Sequence, residues 1–230
     1  MKISKIAIIP ARAGSKRLPK KNILNFLGEP IIVHTIRAAI NSKIFDEIIV
    51  STDCKIIKKI SKKFPVKIHN RLKKFATDRS TINELCTSLI KENQKIGNIW
   101  DIICVLYPTA PLRTSNDIKN TVKLISKDTN FAVGVTTFDH YPHHALVSKN
   151  KKLIPVWPKL INIKKFKNGK FLVDNGSTYA AKVNSFLKYK SFLGPKAKGH
   201  IMPKLRSIDI DTKEDYLFLL NSNRNHNIKI

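Results

Sequence analysis

A basic segment that contains a glycine follows the first apolar run of the chain. The run Ile6–Ile9 ends at Pro10, and the residues after it include Gly14, Ser15 and several cations: Arg12, Lys16, Arg17, Lys20 and Lys21. A glycine lets backbone N–H groups approach a ligand closely, and several cations can share the oxygens of a polyphosphate. The spacing matches neither the Walker A loop nor the dinucleotide fingerprint. We therefore predict a phosphate site of another kind, with a solvated basic loop as the alternative.

Two carboxylates lie two residues apart near the end of the chain, in the segment Ser207-Ile-Asp-Ile-Asp-Thr212. If this segment is a strand, Asp209 and Asp211 share one face about 7 Å apart. Neighbouring carboxylates repel each other unless a cation lies between them, and hard oxygen ligands suit Mg²⁺. The alternative is an acidic strand end that caps the next helix through Asp211 or Thr212. A phosphate loop elsewhere in the chain favours the metal site, because Mg²⁺ commonly bridges carboxylates and phosphates.

Alternating strands and helices must position these residues. Short apolar runs alternate with segments of helical apolar spacing, which predicts a Rossmann-like three-layer α/β fold with a mostly parallel sheet. The predicted strands are Ser4–Ile9, Glu47–Ser51, Val66–Ile68, Asp101–Leu106, Phe131–Thr136, Val173–Lys182 and Ile208–Asp211. The predicted helices are Ile31–Ser42, Cys54–Phe64, Ser80–Lys95 with Ser80 as N-cap, Asn116–Ser126, and Lys213–Asn221 with Thr212 as N-cap.

The loops at the carboxyl ends of parallel strands form the ligand-binding edge of such a sheet. This rule brings together Pro10–Asn22, Ser51–Asp53, Tyr107–Arg113 and the segment after Ile208. The pattern changes over residues 139–173, where histidine, proline and lysine cluster without clear periodicity. We predict a core formed by residues 1–138 and 174–230, interrupted by a strand-rich insertion at 139–173.

The composition of the 230 residues narrows the function. Cys54, Cys86 and Cys104 are too far apart for a disulfide framework or a structural zinc site. The apolar runs are too short to cross a bilayer and the start lacks a secretory pattern, so we expect a cytoplasmic protein with no membrane partner. The net charge of +27 is compatible with a nucleic-acid-binding protein. The lysines are spread over the whole chain without a nucleic-acid-binding motif, so we favour a lysine-rich solvated surface and expect no nucleic-acid partner.

The basic segment also resembles the opening signature of the acylneuraminate cytidylyltransferases, the CMP-sialic acid synthetase group. The similarity covers Ile9-Pro-Ala-Arg-x-Gly-Ser-Lys-x-x-x-x-Lys-Asn22. Further similarities follow in the same order along nearly the whole chain: Val50-Ser-Thr-Asp53, Arg71, Asp78, Pro108-Thr-Ala-Pro-Leu-Arg113, Asn175-Gly176 with Tyr179, and Ser207-Ile-Asp-Ile-Asp-Thr212. The first and last of these motifs are the most specific.

The resemblance implies that CTP reacts with an acidic nine-carbon sugar, with Mg²⁺ as cofactor, to give a CMP-sugar and pyrophosphate. Its implied catalytic residues are Arg12, Lys16, Lys21 and Asp211. Lys16 and Lys21 neutralise phosphate charge, and Asp211 takes the proton of the anomeric hydroxyl. Arg12 and Ser15 hold the triphosphate in this scheme. The other implied roles are nucleotide binding by Asn22, Arg71, Ser80, Tyr107, Pro108 and Thr109, sugar binding by Lys165, Asn175, Gly176 and Tyr179, and metal binding by Asp209 and Asp211.

Two departures from the family pattern leave the sugar open. Many sialic acid synthetases carry glutamine at the position of Tyr107, and the tyrosine variant looks more like relatives that activate pseudaminic acid. Family members also carry Arg-Gln about ten residues before the Asn-Gly, whereas here the stretch is Lys164–Lys167, and lysine cannot form the bidentate fork of arginine. Kdo or another acidic sugar is the alternative substrate, although the loop Ser15–Lys21 differs from the Kdo-type loop at two places.

The insertion at 139–173 resembles the segment through which these enzymes pair as dimers. We therefore expect a homodimer in which this segment also contributes to the sugar pocket. His140, His143 and His144 lie in the insertion. We expect these histidines at the surface or at the interface and not as metal ligands.

Overall fold

A computed structural model describes residues 2–138, 140–163 and 171–226 of the chain. Its strands are β1 (Lys5–Pro10), β2 (Asn25–Phe26), β3 (Glu29–Pro30), β4 (Glu47–Thr52), β5 (Lys67–Asn70), β6 (Ile102–Leu106), β7 (Phe131–Thr137), β8 (Leu146–Lys149), β9 (Lys152–Pro155), β10 (Leu172–Lys182) and β11 (Ala197–Ile201). Seven of them form one sheet in the order β11-β7-β10-β6-β1-β4-β5. Within it β10 is antiparallel to β6 and β7, and the other neighbours are parallel. The predicted mostly parallel sheet is confirmed.

Helices cover both faces of this sheet. They are α1 (Ile31–Ser42), α2 (Lys55–Ser61), α3 (Ile82–Gln94), α4 (Ser115–Lys123), α5 (Val183–Tyr189) and α6 (Lys213–His226). One face packs against α1, α2 and α4 through apolar residues that include Ile36, Ile57 and Ile118. The other face packs against α3 and α5 through residues that include Leu89 and Phe186. The chain therefore has the three layers of the predicted Rossmann-like fold.

The first strand shows why its sequence is apolar without alternation. Successive side chains of a strand point to opposite faces, and both faces of β1 are covered by helices. Ala7 and Ile9 belong to one apolar cluster, while Ile6 and Ile8 belong to the other. A strand buried in this way delivers the chain into the basic loop from a fixed position.

Two helix starts test the predicted caps. The hydroxyl of Thr81 accepts from the amide of Glu84, and the Glu84 carboxylate accepts from the amide of Thr81 at 2.8 Å, so Thr81 is the N-cap of α3. The prediction of Ser80 as N-cap is wrong by one residue, because the glutamate three residues further on completes the box only with Thr81. The prediction for α6 is correct: the hydroxyl of Thr212 accepts from the amide of Asp215 at 3.2 Å.

The segment Ile208–Asp211 is not the strand that its alternation predicts. It follows a 3₁₀ turn, Lys204–Ser207, and continues as extended chain into α6. The amide of Ile210 donates to the carbonyl of Thr109, which lies in the loop beyond the end of β6. The segment therefore crosses the strand ends instead of extending the sheet. The patterns of α5, β11 and the small β2–β3 hairpin were too short or too weakly apolar to predict.

The predicted insertion contains a second hairpin. Strands β8 and β9 pair with each other in a separate two-stranded sheet, and the core strand β10 already begins at Leu172. Asp139 and residues 164–170, which include Lys165, lie outside the described residues. Across the described part of the chain, the helices are too short or too polar to span a membrane.

Candidate functional site

One cleft lies at the carboxyl ends of β1, β5 and β6. Each of these strands ends in a loop that contributes side chains to it, as the rule for parallel sheets predicts. The lining residues are Pro10, Arg12, Lys21, Asn22, Arg71, Thr77, Asp78, Ser80, Ile82, Tyr107, Pro108, Thr109, Asp209 and Asp211. A second pocket adjoins the cleft at the basic loop and is lined by Ser15, Lys16 and Arg17 together with four residues of the cleft: Arg12, Lys21, Asn22 and Asp78.

The basic loop, Ala11–Asn22, is held at its start by the neighbouring strand. The amide of Ala11 donates to the carbonyl of Ser51 at 2.9 Å, and the amide of Ala13 donates to Asp53 Oδ1 at 2.8 Å. At its end the Asn22 side chain donates to the carbonyl of Arg12 at 3.1 Å. These bonds close the loop on itself and fix the backbone from which the cations project.

The cations of this loop form ion pairs with two carboxylates. Arg12 and Lys16 contact Asp78 at 2.8 Å and 2.7 Å, and these contacts lower the pKa of the Asp78 carboxyl. Arg17 and Lys21 both contact Asp211 at 2.7 Å. The Lys21 side chain is only 16% exposed, so its charge is the least hydrated of the four. The loop thus faces the late aspartate pair across the cleft.

Asp209 is the more buried carboxylate of the pair. Its Oδ1 atom is buried and has no hydrogen-bond partner among the described residues. Burial raises the pKa of Asp209 and the charge of Asp211 raises it further, while a hydrogen bond from Thr109 opposes both. A buried carboxylate oxygen without a partner beside a second carboxylate is the environment that a cation would relieve.

Asp211 is fixed by the first turn of α6. The carboxylate of Asp215 accepts from the amides of Asp211 and Thr212, at 3.0 Å and 2.8 Å. This arrangement is the helix cap that the sequence offered as the alternative to a metal site. The two readings are compatible, because Asp215 and Thr212 make the cap while the carboxylate of Asp211 points to Lys21.

Arg71 and Ser80 line the side of the cleft opposite β6. Arg71 donates through Nε to the carbonyl of Phe75 at 2.7 Å, and burial lowers the pKa of its guanidinium. The hydroxyl of Ser80 donates to the carbonyl of Thr77 at 2.8 Å. Both residues thus shape the Arg71–Ser80 loop that carries Asp78 into the cleft.

The turn that begins at Tyr107 forms the opposite wall. The amide of Tyr107 donates to the carbonyl of Ser177 at 3.1 Å, which ties the end of β6 to β10. Burial raises the pKa of the Tyr107 hydroxyl, and its ring contacts the Tyr179 ring edge-on with centroids 5.6 Å apart. On the far side of these rings lies an apolar pocket of about 180 Å³ lined in part by Ile82 and Phe192.

The Asn175–Tyr179 segment of β10 supports the carboxylates. Gly176 has φ +63°, and a Cβ placed on it would lie 2.6 Å from Asp209 Oδ2. Asn175 is buried, and its amide donates to the hydroxyl of Ser207 at 3.0 Å. The hydroxyl of Tyr179 donates to the carboxylate of Asp174 at 2.7 Å. The polar ends of Asn175 and Tyr179 are thus engaged by protein groups.

The chain is similar to known proteins in both sequence and fold. A family model described as Cytidylyltransferase matches residues 6–171. The chain belongs to the cytidylyltransferase family. The pseudaminic acid cytidylyltransferase of Campylobacter jejuni strain 81-176 is 32% identical over 216 residues, which cover 93% of each chain. The CMP-N,N'-diacetyllegionaminic acid synthase of Legionella pneumophila is 32% identical over 215 residues, which cover 92% of each chain.

Solved cytidylyltransferases share the fold at lower identity. A CMP:2-keto-3-deoxy-manno-octonic acid synthetase complexed with CTP is 16% identical to this chain. It superimposes with a TM-score of 0.68 over 96% of this chain and 99% of its own. This likeness supports the three-layer nucleotidyltransferase fold.

Most of the predicted site residues of this cytidylyltransferase lie together. The cleft contains Arg12, Lys21, Asn22, Arg71, Ser80, Tyr107, Pro108, Thr109, Asp209 and Asp211, and the adjoining basic pocket contains Ser15 and Lys16. Tyr179 lines the apolar pocket behind Tyr107, whereas Asn175 and Gly176 support Ser207 and Asp209 from β10. Lys165 is outside the described residues.

The assignment from sequence omitted residues that hold the cations in place. Asp53 holds the backbone of the basic loop, Asp78 pairs with two of its cations, and Arg17 pairs with Asp211. Asp53 and Asp78 were visible as matches to the family pattern, and each is an acid at a predicted loop of a very basic chain. The sequence did not indicate which groups the carboxylates of Asp53 and Asp78 would contact.

Proposed function

We propose that this protein joins CTP to a nonulosonic acid, a nine-carbon acidic sugar, and releases a CMP-sugar and pyrophosphate. The observation that carries the proposal is the meeting of the basic loop with the carboxylate pair, where Lys21 Nζ lies 2.7 Å from Asp211 Oδ1. A triphosphate in this cleft would meet cations on one side and carboxylates on the other. The relatives named for pseudaminic acid and diacetyllegionaminic acid support the sugar class.

The phosphates of CTP are assigned to the basic loop. Arg12 and Lys16 are paired with Asp78 and can exchange this carboxylate for phosphate oxygens, since exposed ion pairs are weak. Ser15 lines the same basic pocket. Lys21 is the best placed to stabilise charge that builds on the α-phosphate, because its ammonium group is largely shielded from water.

The nucleoside is assigned to the wall between Arg71 and Tyr107. Arg71 uses Nε to bind the carbonyl of Phe75, which leaves its terminal amino groups as donors for the base or the ribose. Ser80 and the backbone of Pro108 and Thr109 line the same part of the cleft. Backbone groups recognise a pyrimidine edge well because their positions are fixed by the strand that precedes them.

The sugar is assigned to the side where the cleft meets the apolar pocket. Tyr107 lines both, so a ligand that passes Tyr107 enters a space bounded by Ile82, Tyr179 and Phe192. Acyl methyl groups, such as those named in the diacetyllegionaminic acid of one relative, suit apolar walls of this kind.

In the proposed reaction the anomeric hydroxyl of the sugar attacks the α-phosphorus of CTP. Its proton passes to the carboxylate of Asp211, and the bond from the α-phosphorus to the oxygen that bridges to the β-phosphate breaks. Lys21 and Arg17, both paired with Asp211 before substrate binds, lie within reach of the departing pyrophosphate. Positioning and charge stabilisation carry such a transfer, so no covalent enzyme intermediate is required.

Mg²⁺ is the proposed cofactor, and the residues present fit it. Asp209 supplies a buried carboxylate oxygen without a protein partner among the described residues, and Asp211 supplies a second carboxylate nearby. The described residues contain no group of three or more His, Cys, Asp or Glu side chains that could hold a metal ion. Mg²⁺ is usually bound by one or two carboxylates together with phosphate oxygens and water. When bound, the ion would neutralise phosphate charge.

We further propose a homodimer that works in the cytoplasm, where its nucleotide substrate is found. The β8–β9 hairpin supports the dimer because it presents Val147 and Leu153 to solvent, and Trp157, just after β9, is also exposed. Leu153 is 68% exposed. Several exposed apolar side chains in one segment are typical of a surface that a partner covers. Sedimentation of the wild type and of Leu153→Glu tests this: the wild type should be a dimer and the variant a monomer.

Pyrophosphate release tests the proposed activity. The purified protein is incubated with Mg²⁺, each of the four common nucleoside triphosphates, and pseudaminic, legionaminic or sialic acid or Kdo. We expect turnover with CTP and at least one nonulosonic acid, and its loss with a chelator or in Asp211→Asn. Preference for Kdo would overturn the sugar class, and turnover without a sugar would overturn the transfer reaction.

A further inference from the structure

Arg113 is a buried cation next to the walls of the cleft. Its side chain is 1% exposed, and among the described residues it has no carboxylate within ion-pair distance. Burial lowers the pKa of its guanidinium to about 10. A buried guanidinium costs free energy, which the hydrogen bonds of its two Nη atoms offset, while its Nε has no partner among the described residues.

The guanidinium joins three elements of the fold. Nη1 donates to the carbonyl of Ser177 on β10 at 2.7 Å and to the carbonyl of Tyr107 after β6 at 3.2 Å. Nη2 donates to the hydroxyl of Thr35 on α1 at 2.8 Å. The Thr35 hydroxyl lies 3.4 Å from the carbonyl of Pro108, so it supports the same turn from a second direction.

These contacts connect the parts of the site that must be aligned for transfer. Ser177 follows Gly176, whose backbone is packed against the carboxylate of Asp209. On the other side, the amide of Ile210, between the two aspartates, donates to the carbonyl of Thr109 at 2.9 Å. The nucleotide wall and the carboxylate segment are therefore joined through backbone groups that Arg113 holds together.

We propose that Arg113 is a positioning residue for the transfer, setting the distance between the Tyr107–Thr109 wall and the Asp209–Asp211 carboxylates. The inference rests on the proposed function. The geometry requires a planar group that donates in several fixed directions, which arginine supplies and lysine does not. A displacement near 1 Å between reacting groups can cost about 100-fold in rate.

Two variants and one matched control test this with steady-state kinetics on folded protein. Arg113→Lys keeps the charge but loses the fork, and Thr35→Val removes one acceptor at nearly constant size. We expect kcat to fall about 10- to 100-fold in Arg113→Lys and about 3- to 10-fold in Thr35→Val, with KM for CTP changed less than about threefold. Thr121→Val removes another fully buried hydroxyl, on α4, and should leave kcat unchanged.

Hydrogen exchange of the same variants gives a readout that does not depend on turnover. In Arg113→Lys we expect faster exchange of the Tyr107 and Ile210 amides, with unchanged exchange in β1 and β4. Equal acceleration in every strand would show a general stabilising role and overturn the inference. So would unchanged kcat per folded molecule. A wild type inactive with every sugar refutes the proposed function, while the exchange pattern still decides on Arg113.

Discussion

The two sides of the cleft are built in opposite ways. The basic loop places four cations in ion pairs with Asp78 and Asp211, and their side-chain exposure ranges from 86% for Lys16 to 16% for Lys21. The buried side, formed by the Tyr107–Arg113 turn, Gly176 and Asp209, holds its charged and polar groups inside the protein. Its carbonyl and amide groups are fixed by neighbouring strands, whereas the loop cations are fixed by carboxylates that a ligand could replace.

This difference separates two tasks. Groups that bind and release a polyphosphate must exchange partners quickly, and exposed ion pairs allow this because each contributes little to stability. Groups that set the geometry of transfer must not move, and burial together with hydrogen bonds to the backbone achieves this at the cost of desolvation. Substitutions on the two sides should therefore affect activity and stability in different proportions.

The largest expected effect is loss of turnover on the basic loop without loss of fold. Lys21→Ala should lower kcat about 100- to 1000-fold, because a shielded cation at the reacting phosphate is removed. The melting temperature should change by less than about 4 °C, since Arg17 still pairs with Asp211. Pyrophosphate release and calorimetry measure the two quantities. Lys20→Ala, which removes an exposed neighbour, is the control and should remain active.

On the buried side, activity and stability should fall together. Gly176→Ala forces a left-handed residue, costing about 1–2 kcal/mol, and brings a Cβ within 2.6 Å of Asp209 Oδ2. We expect a lower melting temperature and a kcat reduced more than about tenfold, since the carboxylate must move. Gly97→Ala has a similar φ, +83°, but no atom within 4 Å of the added Cβ. It should lose stability alone, and equal activity losses in both variants would contradict the argument.

Asp209 should show that function opposes stability on this side. Because burial raises its pKa in the folded protein, the folded state binds this proton more tightly and ionisation costs stability as the pH rises. Asp209→Asn should raise the melting temperature by about 2–4 °C at neutral pH in chelator, while abolishing turnover. The gain should shrink as the pH falls through the raised pKa of the folded state and vanish below the unfolded value of about 3.9, where the wild-type carboxyl is protonated in both states. A lower melting temperature at neutral pH would refute the buried-charge explanation.

The smallest effect should be on nucleotide affinity. Asp78→Asn removes the carboxylate that pairs with Arg12 and Lys16 and competes with phosphate for them. KM for CTP should fall by no more than about fivefold, with little change in kcat, as expected for exposed ion pairs. Glu29→Gln removes the surface ion pair with Arg37 and should leave KM unchanged. A higher KM in Asp78→Asn would show that Asp78 orders the loop instead of competing with substrate.

The sequence alone predicted much of the fold because the signals were local. The buried run of β1, the helical spacing of α1 and the loops at the strand ends could all be identified from periodicity and strand-end rules. The prediction failed at Ile208–Asp211, where alternation suggested a strand. There the partner of the backbone is the carbonyl of Thr109 in a loop, and no local pattern encodes a contact between such distant residues.

What the sequence determined by itself was the chemical inventory: a cationic loop after the first strand, a late aspartate pair, and an order of elements that brings both to one edge. The tertiary structure decided the pairing, because contacts such as Lys21 with Asp211 and Arg113 with Ser177 join residues far apart in the chain. It also decided which groups are buried, and burial raises the pKa of Asp209 and lowers the pKa of Arg113. The residue type fixes the sign of each charge, but the partner and the hydration of that charge are set only when the chain folds.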